Sequence, residues 1–266
     1  MSHRSIRITS ALALLGAVFF SSHVSDAAFA SQRLLPTAQV EAADDLVVDL
    51  KAGQVLEMAL PKARMGREGR EARNRYTRLV VPLMEAQPFE VLGALEVEET
   101  VIGQGRPSFV EFRAYRDKSV KSRLEATPEW RELLDYRGKG WRRQDVFSTV
   151  LSDDLVLRFD PSKHYTLAVA WTDPARPEDY DRYLAGVETE FAKIGARFLQ
   201  RFDSVAYRTQ DSGREVPPSR IIWVEWDDED GLDRLLGSEA YSEHAPLFRS
   251  GVSDFRFYRI ASPSRS

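Results

Sequence analysis

The chain has 266 residues, 43% hydrophobic and 29% charged, with a formal net charge of −4. That is ordinary globular composition, and the acidic balance gives no electrostatic reason to expect nucleic acid as a partner. The absence of cysteine excludes disulfides, thiolate chemistry, cysteine-ligated metals and a lipid-modified N-terminal cysteine.

Residues 1–30 have the parts of an export signal. Arg4 and Arg7 supply a positive start, Ala11 to Phe20 is an unbroken run of apolar residues and glycine, and Ala28-Phe29-Ala30 offers small residues for cleavage. The apolar run is well short of the roughly 20 residues that span a bilayer, so a cleaved signal is favoured over an anchor. Losing Arg4, Arg7 and Asp26 leaves a mature chain of −5. The expectation is a soluble, exported protein, periplasmic or secreted, with no membrane contact once the signal is gone. Residues 31–43 are polar, alanine-rich and without periodicity, and are read as a linker.

From Asp44 onward the chain repeats itself. Asp44-Asp45-Leu46-Val47-Val48 recurs as Asp153-Asp154-Leu155-Val156-Leu157. Strand-like Val55 to Leu60 corresponds to Leu167 to Trp171, and Tyr76 to Leu92 aligns without gaps on Tyr183 to Leu199. Phe109-Val110-Glu111-Phe112 is matched to Trp223-Val224-Glu225-Trp226, and Thr127-Pro128-Glu129-Trp130 to Ser238-Glu239-Ala240-Tyr241. Asp145-Val146-Phe147 and Asp254-Phe255 open the last strand of each copy. Six pairs in one order predict a tandem duplication, residues 44–152 and 153–266.

The second copy is the more regular. Apolar Leu167–Trp171 is a strand, and Pro177 to about Ile194 is a helix with Tyr180, Tyr183, Leu184, Val187, Phe191 and Ile194 at helical spacing. A strand around Phe198, a polar loop from Arg208 to Ser219, and the strand Ile221–Trp226 follow. A helix over Gly231–Phe248 and a strand over Phe255–Ile260 close the unit, giving βαββαβ, the split ferredoxin-like order. In the first copy Tyr76, Leu79, Val80, Leu83 and Met84 form the helical stripe, Pro82 is expected to kink or shorten that helix, and Glu96–Pro107 is the loop.

A βαββαβ sheet has helices on one face and leaves the other bare, and two copies can cover each other by closing a barrel. The fold expected is therefore α+β, two tandem ferredoxin-like units forming an intramolecular, pseudo-dimeric α/β barrel, as a monomer or homodimer. The motifs GARFL (195–199), IIWVEW (221–226) and SEAYSEHAPLFRSGVSDF (238–255) resemble the dimeric α/β-barrel superfamily, most of all its small bacterial domains of unknown function. The resemblance covers Tyr165–Ile260 well and Val55–Val150 more weakly. It implies fold rather than activity, because relatives include cofactor-independent monooxygenases, haem-degrading enzymes, lactone isomerases and plain ligand binders.

The polar residues each carry two readings. Glu225 and Glu111 stand mid-strand in apolar runs, with Trp223 and Phe109 on their respective faces by alternation. Facing an enclosed lumen, each would be a carboxylate raised toward general-base range; paired with an arginine, each would be a tolerated buried charge. His244 and His164 are the histidines left after signal removal. His244, beside Tyr241, could act as acid or base or ligate haem iron, but its counterpart in the first copy is Leu133, a packing residue. Two isolated histidines make no metal site. Arg249 suits the C-terminus of its helix; the resemblance places an arginine near there at a cavity mouth, where it would bind a substrate carboxylate.

The basic stretch Lys62–Arg75 is interleaved with Glu68 and Glu71 and reads as a solvated helix face. The second copy has 15 Lys and Arg against 21 Asp and Glu, and Asp227-Asp228-Glu229-Asp230 is expected to complement the first copy. Phosphate-cradling glycine loops, GxSxG elbows and HExxH motifs are missing from the sequence.

The leading expectation is a small, partly apolar organic ligand between the sheets, walled by Trp171, Trp223 and Phe109 and anchored by Glu225, His244 and Arg249, with no cofactor. The enzyme alternative is a cofactor-independent monooxygenase or isomerase with Glu225 or His244 as base. The third reading is a barrel filled by its own side chains, acting through its surface.

Overall fold

The structure, a computed structural model, describes residues 45–86, 88–103, 106–203, 205–209 and 216–263. The expected export signal, the expected linker and residues 210–215 of the expected 208–219 loop lie outside the described residues.

The first unit runs β2 (Val55–Ala63), α1 (Arg67–Glu85), β3 (Phe89–Ile102), β4 (Phe109–Tyr115), α2 (Lys118–Glu125), α3 (Pro128–Gly140) and β5 (Trp141–Val150). The second runs β7 (His164–Thr172), α4 (Pro177–Ile194), β8 (Ala196–Phe202), β9 (Ala206–Thr209), β10 (Arg220–Trp226), α5 (Gly231–Leu236), α6 (Glu239–Gly251) and β11 (Val252–Ile260). A short strand precedes each unit: β1 (Leu46–Leu50) and β6 (Leu155–Phe159).

The strand orders are β3-β4-β2-β5 and β8-β10-β7-β11, the same arrangement twice and antiparallel throughout. The two sheets join at both edges. β3 pairs with β4 as far as Glu96, then crosses from Val97 to Ile102 onto β11 of the other unit. In the second unit the same task is divided: β8 pairs with β10, and β9 pairs with β5 from Asp145↔Thr209 to Ser148↔Ala206. Because β8 and β9 are separated only by residues 203–205, the sheet closes into a ring. The chain is two tandem ferredoxin-like units in one pseudo-dimeric α/β barrel.

The barrel interior holds one large apolar core that includes Met58, Phe112, Phe147, Leu167, Trp223 and Tyr258. β1 and β6 enter it together. They pair antiparallel, Leu46↔Phe159 to Leu50↔Leu155, and strand alternation buries Val48, Leu50, Leu155, Leu157 and Phe159 while Val47 and Val156 stay exposed. The Phe159 ring lies 5.4 Å from Phe112, 5.1 Å from Trp223 and 5.1 Å from Tyr165, centroid to centroid. Each fully buried Val, Leu or Phe of this ribbon contributes about 1.5–3 kcal/mol. Leu46 rests on Gly93, at a bulge in β3 with φ of 150°, where a Cβ would come within 2.5 Å of Leu46 Cδ1. Glycine is required there by both backbone and space.

The helices cover the outer faces. α1 and α3 pack around Tyr76, Tyr115, Trp130 and Trp141, and α4 and α6 around Tyr180, Phe191 and Phe248. Three local expectations change. The helix expected over Gly231–Phe248 is two helices, because Ser238 accepts from Tyr241 N (3.1 Å) and starts a new one; Thr127 does the same for Trp130 N (3.2 Å). Pro82 leaves α1 unbroken because it falls in the last turn, where the helix was about to end. Glu96–Ile102, expected as loop, is strand, since the crossing to the other unit needs its length.

Candidate functional site

Glu225 faces the barrel interior. β10 pairs with β7 as Ile221↔Val169, Trp223↔Leu167 and Glu225↔Tyr165, and all of these but Glu225 belong to the interior core. Its carboxylate is met by Arg197, with Nε to Oε1 at 2.7 Å and Nη2 to Oε2 at 3.0 Å, and Tyr165 Oη donates to Oε2 at 3.4 Å. The Arg197 side chain is 63% exposed and Glu225's 8%. This is a bidentate pair at one end of the barrel, its guanidinium in water. Burial pushes the Tyr165 phenol up, which keeps it a neutral donor.

Glu111 is not its counterpart. β2 pairs with β4 as Met58↔Phe112, and Val110, Phe112 and Ala114 belong to the interior core. Glu111, and Phe109 with it, therefore point to the helix layer. The residue standing where Trp223 stands is Phe112, so the sequence match of these strands is three residues out of register. An odd slip in a period-two structure exchanges the faces. Glu111 accepts from Arg113 Nε, and Arg113 Nη1 also donates to Glu57 Oε1 at 3.2 Å. Glu57 is fully buried and takes a second cation, Lys121. Burial alone would raise the Glu57 carboxyl, but Lys121 and Arg113 outweigh it and hold it below its ordinary value.

His244, Tyr241 and Arg249 lie on α6, outside the barrel. The His244 ring packs on Gly186 of α4, so closely that a Cβ there would meet Cδ2 at 2.1 Å, and its Nδ1 is 2.8 Å from Ala240 O. It fills the space between helices that Leu133 fills in the first unit. A haem in the lumen would receive no axial ligand from it. Tyr241 lies edge-on to Tyr183 at 6.4 Å, and Arg249 is exposed in the last turn of α6. The sheet thus separates Glu225, Trp223 and Trp171 from His244, Tyr241 and Arg249. The acidic run also stays within its own unit: Asp227 pairs with Lys163, and Asp228 and Asp230 with Arg234.

The interior does gather a polar cluster, from residues the motifs did not single out as functional. Asp145 of β5 accepts from Arg143 Nε (2.8 Å) and Arg256 Nη1 (3.0 Å) on Oδ2, and from Tyr207 Oη (2.6 Å) on Oδ1. Arg256 stands 4.7 Å from the Trp171 ring centroid. Tyr207 stacks on Phe147 at 5.1 Å and meets Trp171 edge-on at 5.9 Å. Trp171 donates its indole N–H to Val216 O at 2.8 Å. Burial, first of all, pushes the Tyr258 phenol up to about 12. Arg143 is raised despite its burial, because Asp145 and Tyr207 accept its hydrogen bonds. Deeper inside, Trp223 is fully buried and its Nε1 has no partner among the described residues. The signal that could have found this cluster is charge at interior parity in each last strand, with Asp145 two residues from Phe147 and Arg256 two from Tyr258.

Among the described residues no group of three or more His, Asp or Glu is placed to hold a metal ion, and no helix is long and apolar enough to cross a membrane.

No protein-family model and no curated protein matches the sequence. Solved structures similar to the chain include an anthrone oxidase-like protein (12% identity, TM-score 0.47, 81% of this chain and 94% of that one). A candidate monooxygenase from Fusobacterium nucleatum aligns at 10% identity and TM-score 0.40, over 81% and 94%. A mutant chlorite dismutase from Candidatus Nitrospira defluvii aligns at 9% and 0.43, over 80% and 93%. Identities of this size do not carry an activity from one chain to another.

Proposed function

We propose that the chain is an exported binding protein that takes a small, partly apolar organic molecule inside the barrel, without turning it over. The observation that carries this reading is the Trp223 indole N–H, fully buried in the interior with no acceptor among the described residues. A buried donor left unpaired costs roughly 1–3 kcal/mol, and a ligand oxygen would remove that cost. Trp171 and Tyr207 offer aromatic wall, and Arg256, Arg143 and Asp145 offer charge at one end. Catalysis is the weaker reading, because Glu225 is occupied by Arg197 and His244 lies on the far side of the sheet, so no acid–base pair converges.

A second reading is favoured by the β1–β6 ribbon, whose side chains fill the middle of the barrel: a packed barrel that acts through its surface. Native mass spectrometry of the chain purified from an exporting host separates the two. A small organic mass retained under native conditions, and lost in Trp223→Phe, supports binding at the indole. A wild-type chain that carries no such mass supports the packed barrel. Sequencing the N-terminus of the same preparation tests cleavage after Ala30.

A further inference from the structure

The helix layer of the first unit contains a network of buried and half-buried charges. Glu57 pairs with Arg113 and Lys121, Glu111 with Arg113, and Glu125 with Lys121 and with Arg208 of β9. Three carboxylates are thus matched to three cations. Arg137 of α3 is a fourth cation in the same layer. It is 3% exposed, and among the described residues its Nε has no partner and no carboxylate lies within ion-pair distance of it. Arg208 and Arg113 repel it, and Glu57 attracts it without pairing with it.

The nearby Arg73 is buried too, but it donates to Arg64 O (2.7 Å) and Gly140 O (3.0 Å) at the end of α3, where a cation is favoured. Nε of both arginines has no partner among the described residues; what sets Arg73 apart is the pair of carbonyls that its Nη1 reaches. In Arg137, burial first of all, together with repulsion from Arg208 and Arg113, pushes the guanidinium down to about 10, so it remains charged at neutral pH. An unpaired buried charge costs several kcal/mol, and the usual remedy is a counter-ion.

We propose that this position binds a small, singly charged anion, with Arg137 as its principal donor. One negative charge balances the one unmatched cation of the network, and a guanidinium edge suits a carboxylate or a halide. The sequence neighbours of Arg137, Tyr136 and Gly138, line an outer groove of about 670 Å³ between α1 and α3. Arg64, Arg75 and Lys139 line it too, against Glu68 and Glu71, an excess of cations that draws anions toward this turn of the helix.

The test is thermal melting of the full chain in sodium gluconate, exchanged stepwise for sodium formate or sodium chloride at constant ionic strength. A saturable rise in Tm with formate or chloride is expected for the wild type and for Arg142→Ala, a charge-matched control on the exposed surface. Arg137→Met should lose that response and, in gluconate alone, should melt no lower than the wild type. Three results overturn the proposal: a wild type indifferent to the exchange, an Arg137→Met chain that still responds, or an Arg137→Met chain that fails to fold in gluconate, since its guanidinium would then have a partner within the protein.

Discussion

Arg256 of the second unit reaches across the barrel interior to Asp145 of the first, with Nη1 3.0 Å from Oδ2. Around the ring β11 is separated from β5 by β3, β4 and β2 one way and by β7, β10, β8 and β9 the other, so this ion pair spans the interior. Its two side chains are 12% and 7% exposed.

Removing the two partners should have unequal effects. Asp145→Ala leaves Arg256, 12% exposed, and the half-buried Arg143 together without their carboxylate, a loss of about 3 kcal/mol. Arg256→Leu leaves Asp145 still bonded to Arg143 and Tyr207 and should cost roughly 1–3 kcal/mol, mainly the lost hydrogen bond and the contact with Trp171. Urea unfolding of the two variants checks the order, and equal losses would show that the cross-barrel pair has no special weight.

Glu57 should make the protein acid-sensitive. Its carboxyl is held below the ordinary value in the folded state, so its contribution is present above the unfolded pKa and is lost as pH falls through the folded one. Stability measured by denaturant titration should therefore decline below about pH 4.5. Glu57→Gln should remove that part of the decline and cost about 3–5 kcal/mol at pH 7, because it strips a buried partner from Arg113 and Lys121.

His244 should prove to be a packing residue. Gly186→Ala puts a methyl where the imidazole lies and should destabilise by about 1–3 kcal/mol. Pairing it with His244→Ala should recover much of the loss, a coupling that a double-mutant cycle reads directly. His244→Leu, which copies Leu133, should fold normally. If it retains the fold but abolishes ligand retention, the packing role is wrong.

Phe159→Ala should cost about 3–5 kcal/mol, because its ring touches Phe112, Tyr165 and Trp223 at the centre of the barrel. Loss of its edge-on contact should also shift the emission of the fully buried Trp223. An unchanged unfolding midpoint would mean that the ribbon lies loosely in the interior.

Much of the fold was legible from Leu167–Trp171, Pro177–Ile194 and Ile221–Trp226, where apolar spacing and length leave one assignment each, and β7, α4 and β10 lie there. The site was not. β4 and β10 are buried along both faces, so their sequences carry no alternation from which parity could be read. The similar strings around Glu111 and Glu225 then invited a register that only the pairings Met58↔Phe112 and Leu167↔Trp223 correct. Nor could Asp145 and Arg256 be joined from sequence, because their meeting depends on ring closure through β9, four residues whose last two fall in a segment expected as loop.

The ribbon has a consequence for the order of events in folding. β1 stands at the start of the described chain, yet its partner is β6, more than a hundred residues later. The two seams, β3 with β11 and β5 with β9, likewise wait for the second unit. A ribosome delivering the first unit releases a half-ring with a bare inner face and no partner for its first strand. Contacts this distant in sequence form slowly, and exposed strand edges are the hazard of the delay. The first half should therefore be dependent on chaperones until the second arrives, and β1 should be the last strand to become protected from hydrogen exchange.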